Sequence, residues 1–282
     1  MAIITFWSNS KKQMGQTLAI MAAATCMGME RNYKTLLMTT NKGDTSFEQA
    51  FSSKVSVARK SILSEMGVKQ DKVGLGSGLD GVFKLAIAGK VTPDTITNFT
   101  QVVFKNRFEV LFAGSKQPGE TESERISNYK TILSNANKHY EYVFVDLEKG
   151  LNKEYIKAIL EMSDVIVVGL EQRKKEIENF IEFRKKEKIL RKNNSIILVG
   201  RYDRFSKYNT KNVVRQIGLR EQIYCVPYNT RLYEAVDENA TAELFLKIRI
   251  ADETDKDGIF FKEIKKLIEG ILYKVQEVQM NY

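Results

Sequence analysis

The chain has 282 residues with 44 Lys+Arg against 35 Asp+Glu, a formal net charge of +9, and only one His, two Cys and three Pro. Hydrophobic residues make up 43% and charged residues 28%, which excludes a disordered or collagen-like chain and suffices for a sizeable core. One His and two distant Cys, Cys26 and Cys225, argue against a zinc cluster or a disulfide framework and for two buried thiols.

The chain opens on a strand, Ile3 to Trp7, with no cationic leader before it, and no apolar run is long enough to span a bilayer. A cytoplasmic protein is therefore expected. After a polar loop, Thr17 to Met29 is rich in Ala, Met and Leu and predicts a helix buried on nearly all sides; Thr35 to Thr39 follows as a second strand. From Ala50 to Val91 the chain is polar, with a helix near Val57 to Glu65 and then Gly74, Gly76, Gly78 and Gly81, and offers no clear strand. That Gly cluster lacks the helix pattern that follows a dinucleotide-binding loop. Strands are predicted at Val110 to Ala113, Tyr142 to Asp146, Val165 to Gly169, Ile196 to Val199 and Ile223 to Val226. Continuous β-branched runs alternating with amphipathic stretches indicate an α/β fold, a doubly wound and mainly parallel sheet flanked by helices. No linker interrupts it, so residues 1–282 read as a single domain ending in an amphipathic helix over 259–277.

The charge is unevenly placed. From Arg173 to Arg220 there are 15 Lys/Arg and 5 Asp/Glu, so this stretch carries the whole excess. Its apolar stripe (Ile177, Phe180, Ile181, Phe183, Ile189) sends the cations to the opposite helical face. Arg184, Lys185, Lys186, Lys188, Arg191 and Lys192 are the candidate contacts to DNA or to an anionic membrane, the alternative being a solvated face. In the terminal helix Glu263, Glu269 and Glu277 accompany Lys262, Lys265, Lys266 and Lys274, a mixture that suits a helix packed on the sheet better than a cationic membrane anchor.

Between the first strand and helix lies Ser10-Lys11-Lys12-Gln13-Met14-Gly15-Gln16-Thr17. In a phosphate-binding loop GxxxxGK[ST], backbone N–H groups wrap the phosphates, the Lys neutralises the outer ones and the hydroxyl holds Mg²⁺. Gly15 and Thr17 keep the second Gly and the hydroxyl, whereas Ser10 stands for the first Gly and Gln16 for the Lys.

Taken with the motifs that follow in register, the chain resembles the ParA/MinD superfamily of P-loop ATPases, whose deviant Walker A loop reads KGGxGK[ST]. Lys11 matches the signature Lys of that loop. Tyr140 to Leu151 is similar to the family's YDYVIID strand, which makes Asp146 the Walker B carboxylate; Ser163 to Val168 is similar to ADxVIxV. Ile196 to Phe205 resembles the base-recognition strand VxNRYD with Gly200 in place of Asn, and Val226-Pro227-Tyr228-Asn229 followed by Leu232 and Glu234-Ala235 resembles IPYD…L…EA. The resemblance implies ATP and Mg²⁺ as cofactors, with Ser10, Lys12, Gly15, Gln16, Thr17, Arg201, Asp203 and Pro227 around the nucleotide and Thr17 and Asp146 at the metal. It also implies a nucleotide-sandwich homodimer in which Lys11 reaches the partner's nucleotide.

Three departures bear on hydrolysis. Gln16 carries no charge, and one such cation is worth about 10³-fold or more in rate, several kcal/mol of barrier. Lys12 and Gln13 occupy two Gly positions. After the second strand the family's acidic position is Asn41, leaving Asp44 as a substitute or as a turn cap; Lys12 could restore the missing charge. The functional expectation is a nucleotide-linked positioning protein with weak or absent hydrolysis, serving plasmid or chromosome partition or, as in the TadZ/CpaE-like branch, pilus or secretion machinery, at the nucleoid or inner membrane and with an adaptor protein. The alternative is a scaffold that kept the fold with a vestigial pocket.

Overall fold

A computed structural model describes residues 1–10, 14–52, 78–115, 121–148, 152–187, 194–217 and 223–280. In chain order these form β1 (Ala2–Trp7), α1 (Gln16–Glu30), β2 (Thr35–Thr39), α2 (Ser46–Phe51), α3 (Leu79–Ile87), α4 (Pro93–Ile96), β3 (Gln101–Phe104), β4 (Phe108–Leu111), α5 (Glu122–His139), β5 (Tyr142–Asp146), α6 (Lys153–Glu161), β6 (Val165–Leu170), α7 (Lys174–Lys186), β7 (Ser195–Tyr202), α8 (Thr210–Ile217), β8 (Ile223–Pro227), α9 (Thr230–Asp237), α10 (Thr241–Ile248) and α11 (Lys256–Met280). Lys11, Lys12, Lys188, Arg191, Lys192, Gly74, Gly76 and the helix expected near Val57 to Glu65 lie outside the described residues.

The sheet runs β3-β4-β2-β5-β1-β6-β7-β8, parallel throughout except for the antiparallel β3–β4 edge. This is the doubly wound, mainly parallel α/β sheet that the strand runs predict. Every residue of β1 and β6 is buried, as continuous apolar runs require when helices cover both faces. The pleat then sorts alternate residues. Ile4 and Phe6 join one core with α1, α10 and α11, whereas Ile3 and Trp7 join the other with α3, α5, α6 and α7.

Local chemistry sets several helix starts: Thr121 and Glu124 form a reciprocal capping box on α5, Asn152 caps α6 by accepting from the Tyr155 N–H at 2.8 Å, and Asn229 caps α9. The apolar face of α11 (Phe260, Phe261, Ile264, Leu267, Ile268, Ile271, Val275) is buried against α1 and β8. It is therefore committed to the core. Among the described residues no helix is long and apolar enough to cross a membrane. Cys26 and Cys225 are free and buried; burial, joined at Cys225 by the neighbouring Glu263, pushes both thiols up to about 12 and keeps them protonated.

Candidate functional site

The two core clusters leave the carboxyl ends of β1, β2, β5 and β7 converging on one cleft of about 400 Å³, within the range of small-ligand sites. Central strand β1 feeds the loop that starts it. Ser8 is buried and donates its hydroxyl to Gly169 O at 2.8 Å, and its Oγ accepts from the Ser10 N–H at 3.2 Å. Met14, fully buried, packs over Gly169 at the end of β6 and Gly200 in β7. A Cβ at Gly200 would run into the Met14 carbonyl, which is the physical reason for Gly where the family pattern has Asn.

Gly15 then takes a left-handed conformation, φ 78° and ψ 28°, as the N-cap of α1, with no side chain capping the helix and no acid in its first turn. A Cβ there would meet Arg201 Cγ at 3.3 Å. An uncapped helix start carries backbone N–H donors and a positive dipole end, the ordinary anion site of a strand-loop-helix unit.

The first two residues of α1 both hold Asp146, the last residue of β5. Thr17 donates its hydroxyl to Oδ2 at 2.9 Å, and Gln16 Nε2 approaches Oδ1 at 2.6 Å. The same nitrogen also faces Phe6 O and Leu147 O, each at 3.1 Å, while Gln16 Oε1 is buried without a hydrogen-bond partner. That contact set settles which way the amide points. Turned over, it would place a carbonyl against three acceptors, one of them a carboxylate, and forfeit a charge-assisted bond worth about 1.5–3 kcal/mol.

On the opposite wall Asn41 Nδ2 donates to Asp44 Oδ2 at 3.0 Å, and Asp44 Oδ1 accepts from the Ser46 N–H at 2.8 Å. Asp44 thus caps a turn and lines the cleft at once. Glu148, which sequence reading passes over, also lines it. Its carboxylate meets Arg125 at 2.8 Å and its N–H donates to Thr40 Oγ1 at 2.9 Å, while Arg125 donates to Thr40 O at 2.8 Å and lies over the Tyr155 ring. The Asp-x-Glu spacing was its one local signal. Arg201 sits at a bulge in the β7–β8 ladder with φ 49°, a left-handed conformation rare for Arg, and is the one cation among the described residues lining the cleft. Tyr233, also missed from sequence, closes that side.

Of the residues expected around a nucleotide, Gly15, Gln16, Thr17, Asp44, Asp146 and Arg201 meet at this cleft, whereas Ser10, Asp203 and Pro227 do not line it. Asp203 instead braces the loop after β7: its N–H and carbonyl are held by the Gln172 amide, each at 2.8 Å, and its Oδ1 accepts from the Phe205 N–H at 2.9 Å. Pro227 pairs with Tyr202 in the ladder. Arg184, Lys185 and Lys186 form the last turn of α7, where cations also complement the helix dipole.

A nucleoside phosphate with Mg²⁺ suits this donor set. Thr17 Oγ1 and Asp146 are hard oxygen ligands on adjacent elements, and no group of three or more His, Cys, Asp or Glu able to cage a metal occurs among the described residues. Mg²⁺ takes one or two protein oxygens and completes its shell with phosphate and water.

The fold is that of solved ParA and MinD proteins. The likeness spans nearly the whole chain. A ParA family ATPase from Chlorobium tepidum superposes with a TM-score of 0.66 at 14% identity, covering 96% of this chain and 98% of that one. A putative plasmid partition protein from Borrelia burgdorferi bound to AMPPNP gives 0.56 at 15% identity, covering 99% and 98%. MinD from Pyrococcus horikoshii complexed with Mg-ADP gives 0.58 at 14% identity, covering 97% and 98%. No protein-family model matches the sequence, and no curated protein does.

Proposed function

We propose that this chain is a nucleotide-binding protein that positions a cellular cargo through ATP-linked dimerisation, with weak or absent hydrolysis. The observation that carries this reading is the pairing of Thr17 and Asp146 beneath the uncapped start of α1. The N–H groups of that first turn would take the phosphates, and Thr17 and Asp146 would hold Mg²⁺, which neutralises phosphate charge when bound. Arg201 and Tyr233 would flank the remainder of the nucleotide.

Weak turnover follows from the chain's own residues. Gln16 is neutral and tied to Asp146, Asn41 replaces an acid, and both carboxylate oxygens of Asp44 already accept hydrogen bonds. Neither Gln16 nor Asn41 can polarise a phosphate as a cation or take a proton from water, and Asp44 is engaged in bracing its turn. Solved neighbours with AMPPNP and with Mg-ADP support nucleotide as the ligand class. The plasmid partition protein among them, together with the basic stretch 173–220, favours a DNA-linked cargo over pilus or secretion machinery. A homodimer with Lys11 in trans, an adaptor, and association with the nucleoid or the inner membrane belong to the same reading.

Titration of the chain with ATP, with and without Mg²⁺, tests it. Binding that strengthens with Mg²⁺ is expected, as is loss of that Mg²⁺ dependence in Asp146→Asn and Thr17→Val. Absence of binding at millimolar nucleotide would instead favour a scaffold with a vestigial pocket.

A further inference from the structure

The amide of Gln16 is oriented by its surroundings. Phe6 O, Asp146 Oδ1 and Leu147 O all face Nε2, and an amide has two N–H groups to share among those three acceptors. Its other end, Oε1, is buried and unpartnered in a residue only 5% exposed. In a loop of this form the residue before the hydroxyl is the one that reaches the outer phosphates. Here that residue has its donors turned to the protein and an acceptor left over.

Charge around it points the same way. Among the described residues Asp44 and Asp146 line the cleft with Arg201, and Glu148 there is paired with Arg125. A neutral amide at this position offers phosphate oxygen no cation, and its two N–H groups are already turned to protein oxygens.

We infer that Gln16 removes the preference for a third phosphate, so that the cleft holds a nucleoside diphosphate about as well as a triphosphate and responds to occupancy rather than to phosphate count. This rests on the nucleotide reading of the cleft and deepens it. An ammonium carries a full charge on a longer, flexible stem and can exchange these oxygens for the outer phosphates, so Gln16→Lys restores the missing cation.

Calorimetric titration of the full chain with Mg-ADP and with Mg-AMPPNP, a triphosphate analogue that resists turnover, tests this. The wild-type dissociation constants are expected to agree within about threefold, and Gln16→Lys is expected to favour the triphosphate by about tenfold or more. A wild-type preference for Mg-AMPPNP of about tenfold or more overturns the inference and leaves the nucleotide reading standing. Failure of both ligands to bind overturns that reading and the inference with it. The wild-type ratio decides the matter even if the variant does not fold. Where circular dichroism shows the variant folded, an unchanged ratio in it also counts against Gln16 as the determinant.

Discussion

At the scale of single residues, the loop before α1 is governed by what its neighbours lack. Gly200 has no Cβ because the Met14 backbone lies where one would be, and Gly15 has none because its φ of 78° is left-handed. The two requirements meet in one place, since Met14 and Gly15 are adjacent and Arg201 follows Gly200. Gly200→Ala is expected to lose at least about 1–3 kcal/mol of stability by forcing the loop off β7; thermal melting measures it. A melting temperature equal to wild type would mean that the loop yields without cost. The same variant should weaken nucleotide binding, because the displaced loop carries Gly15 away from Arg201.

Among the elements, the long apolar runs were legible and the short, exposed or half-polar ones were not. β1, β2, β5, β6 and β8 stand within a residue of the predicted strands, because each is a continuous run of mostly apolar residues, fully buried in β1, β2 and β6 and largely buried in β5 and β8. β4 runs Phe108–Leu111 rather than Val110 to Ala113, and β3 was missed. As a four-residue edge strand, β3 has one partner and no long run to betray it; the turn into β4 uses Asn106 at φ 61° rather than an Asn-Gly pair. α3 was hidden in a stretch read as polar, although Leu79, Val82 and Phe83 are buried. The predicted stripe of α11 lies in the core, and Leu267 and Ile264 within it are fully buried. Leu267→Ala should therefore cost about 2–5 kcal/mol in chemical denaturation. A change below about 0.5 kcal/mol would show instead that this helix is peripheral to the fold.

For the molecule as a whole, the net charge of +9 is concentrated between β6 and β8. On the described part of that stretch most of the cations lie on α7, on the loop after β7 and on α8, and Gln172 stiffens the loop that presents Arg204, Phe205 and Lys207. Phe205 is 82% exposed with the Arg204 guanidinium 4.8 Å from its ring. If this face meets DNA, affinity at low salt should fall steeply with added salt, and Lys185→Glu with Lys186→Glu should flatten that slope by about one unit per lost phosphate contact. Equal behaviour of variant and wild type in a salt-titrated binding assay would assign these cations to solvation and to the end of α7 alone.

Sequence by itself determined every described strand but β3, the α/β class and the candidate positions Gly15, Gln16 and Thr17, because each is written in local pattern, apolar runs and a loop between strand and helix; Asp146 came from the resemblance of its strand to a family motif. Only the tertiary structure decided what those positions do to one another. Gln16 and Asp146 lie 130 positions apart, and no local pattern says that the amide turns its donors inward and leaves an acceptor behind. The engagement of Glu148 by Arg125 and the bracing of Asp203 by Gln172 are likewise contacts between separate segments, and the left-handed turn at Arg201 sits where the β7–β8 ladder shifts register. Such contacts form only when the sheet brings its carboxyl ends together, and so the charge balance of the cleft is a property of the fold.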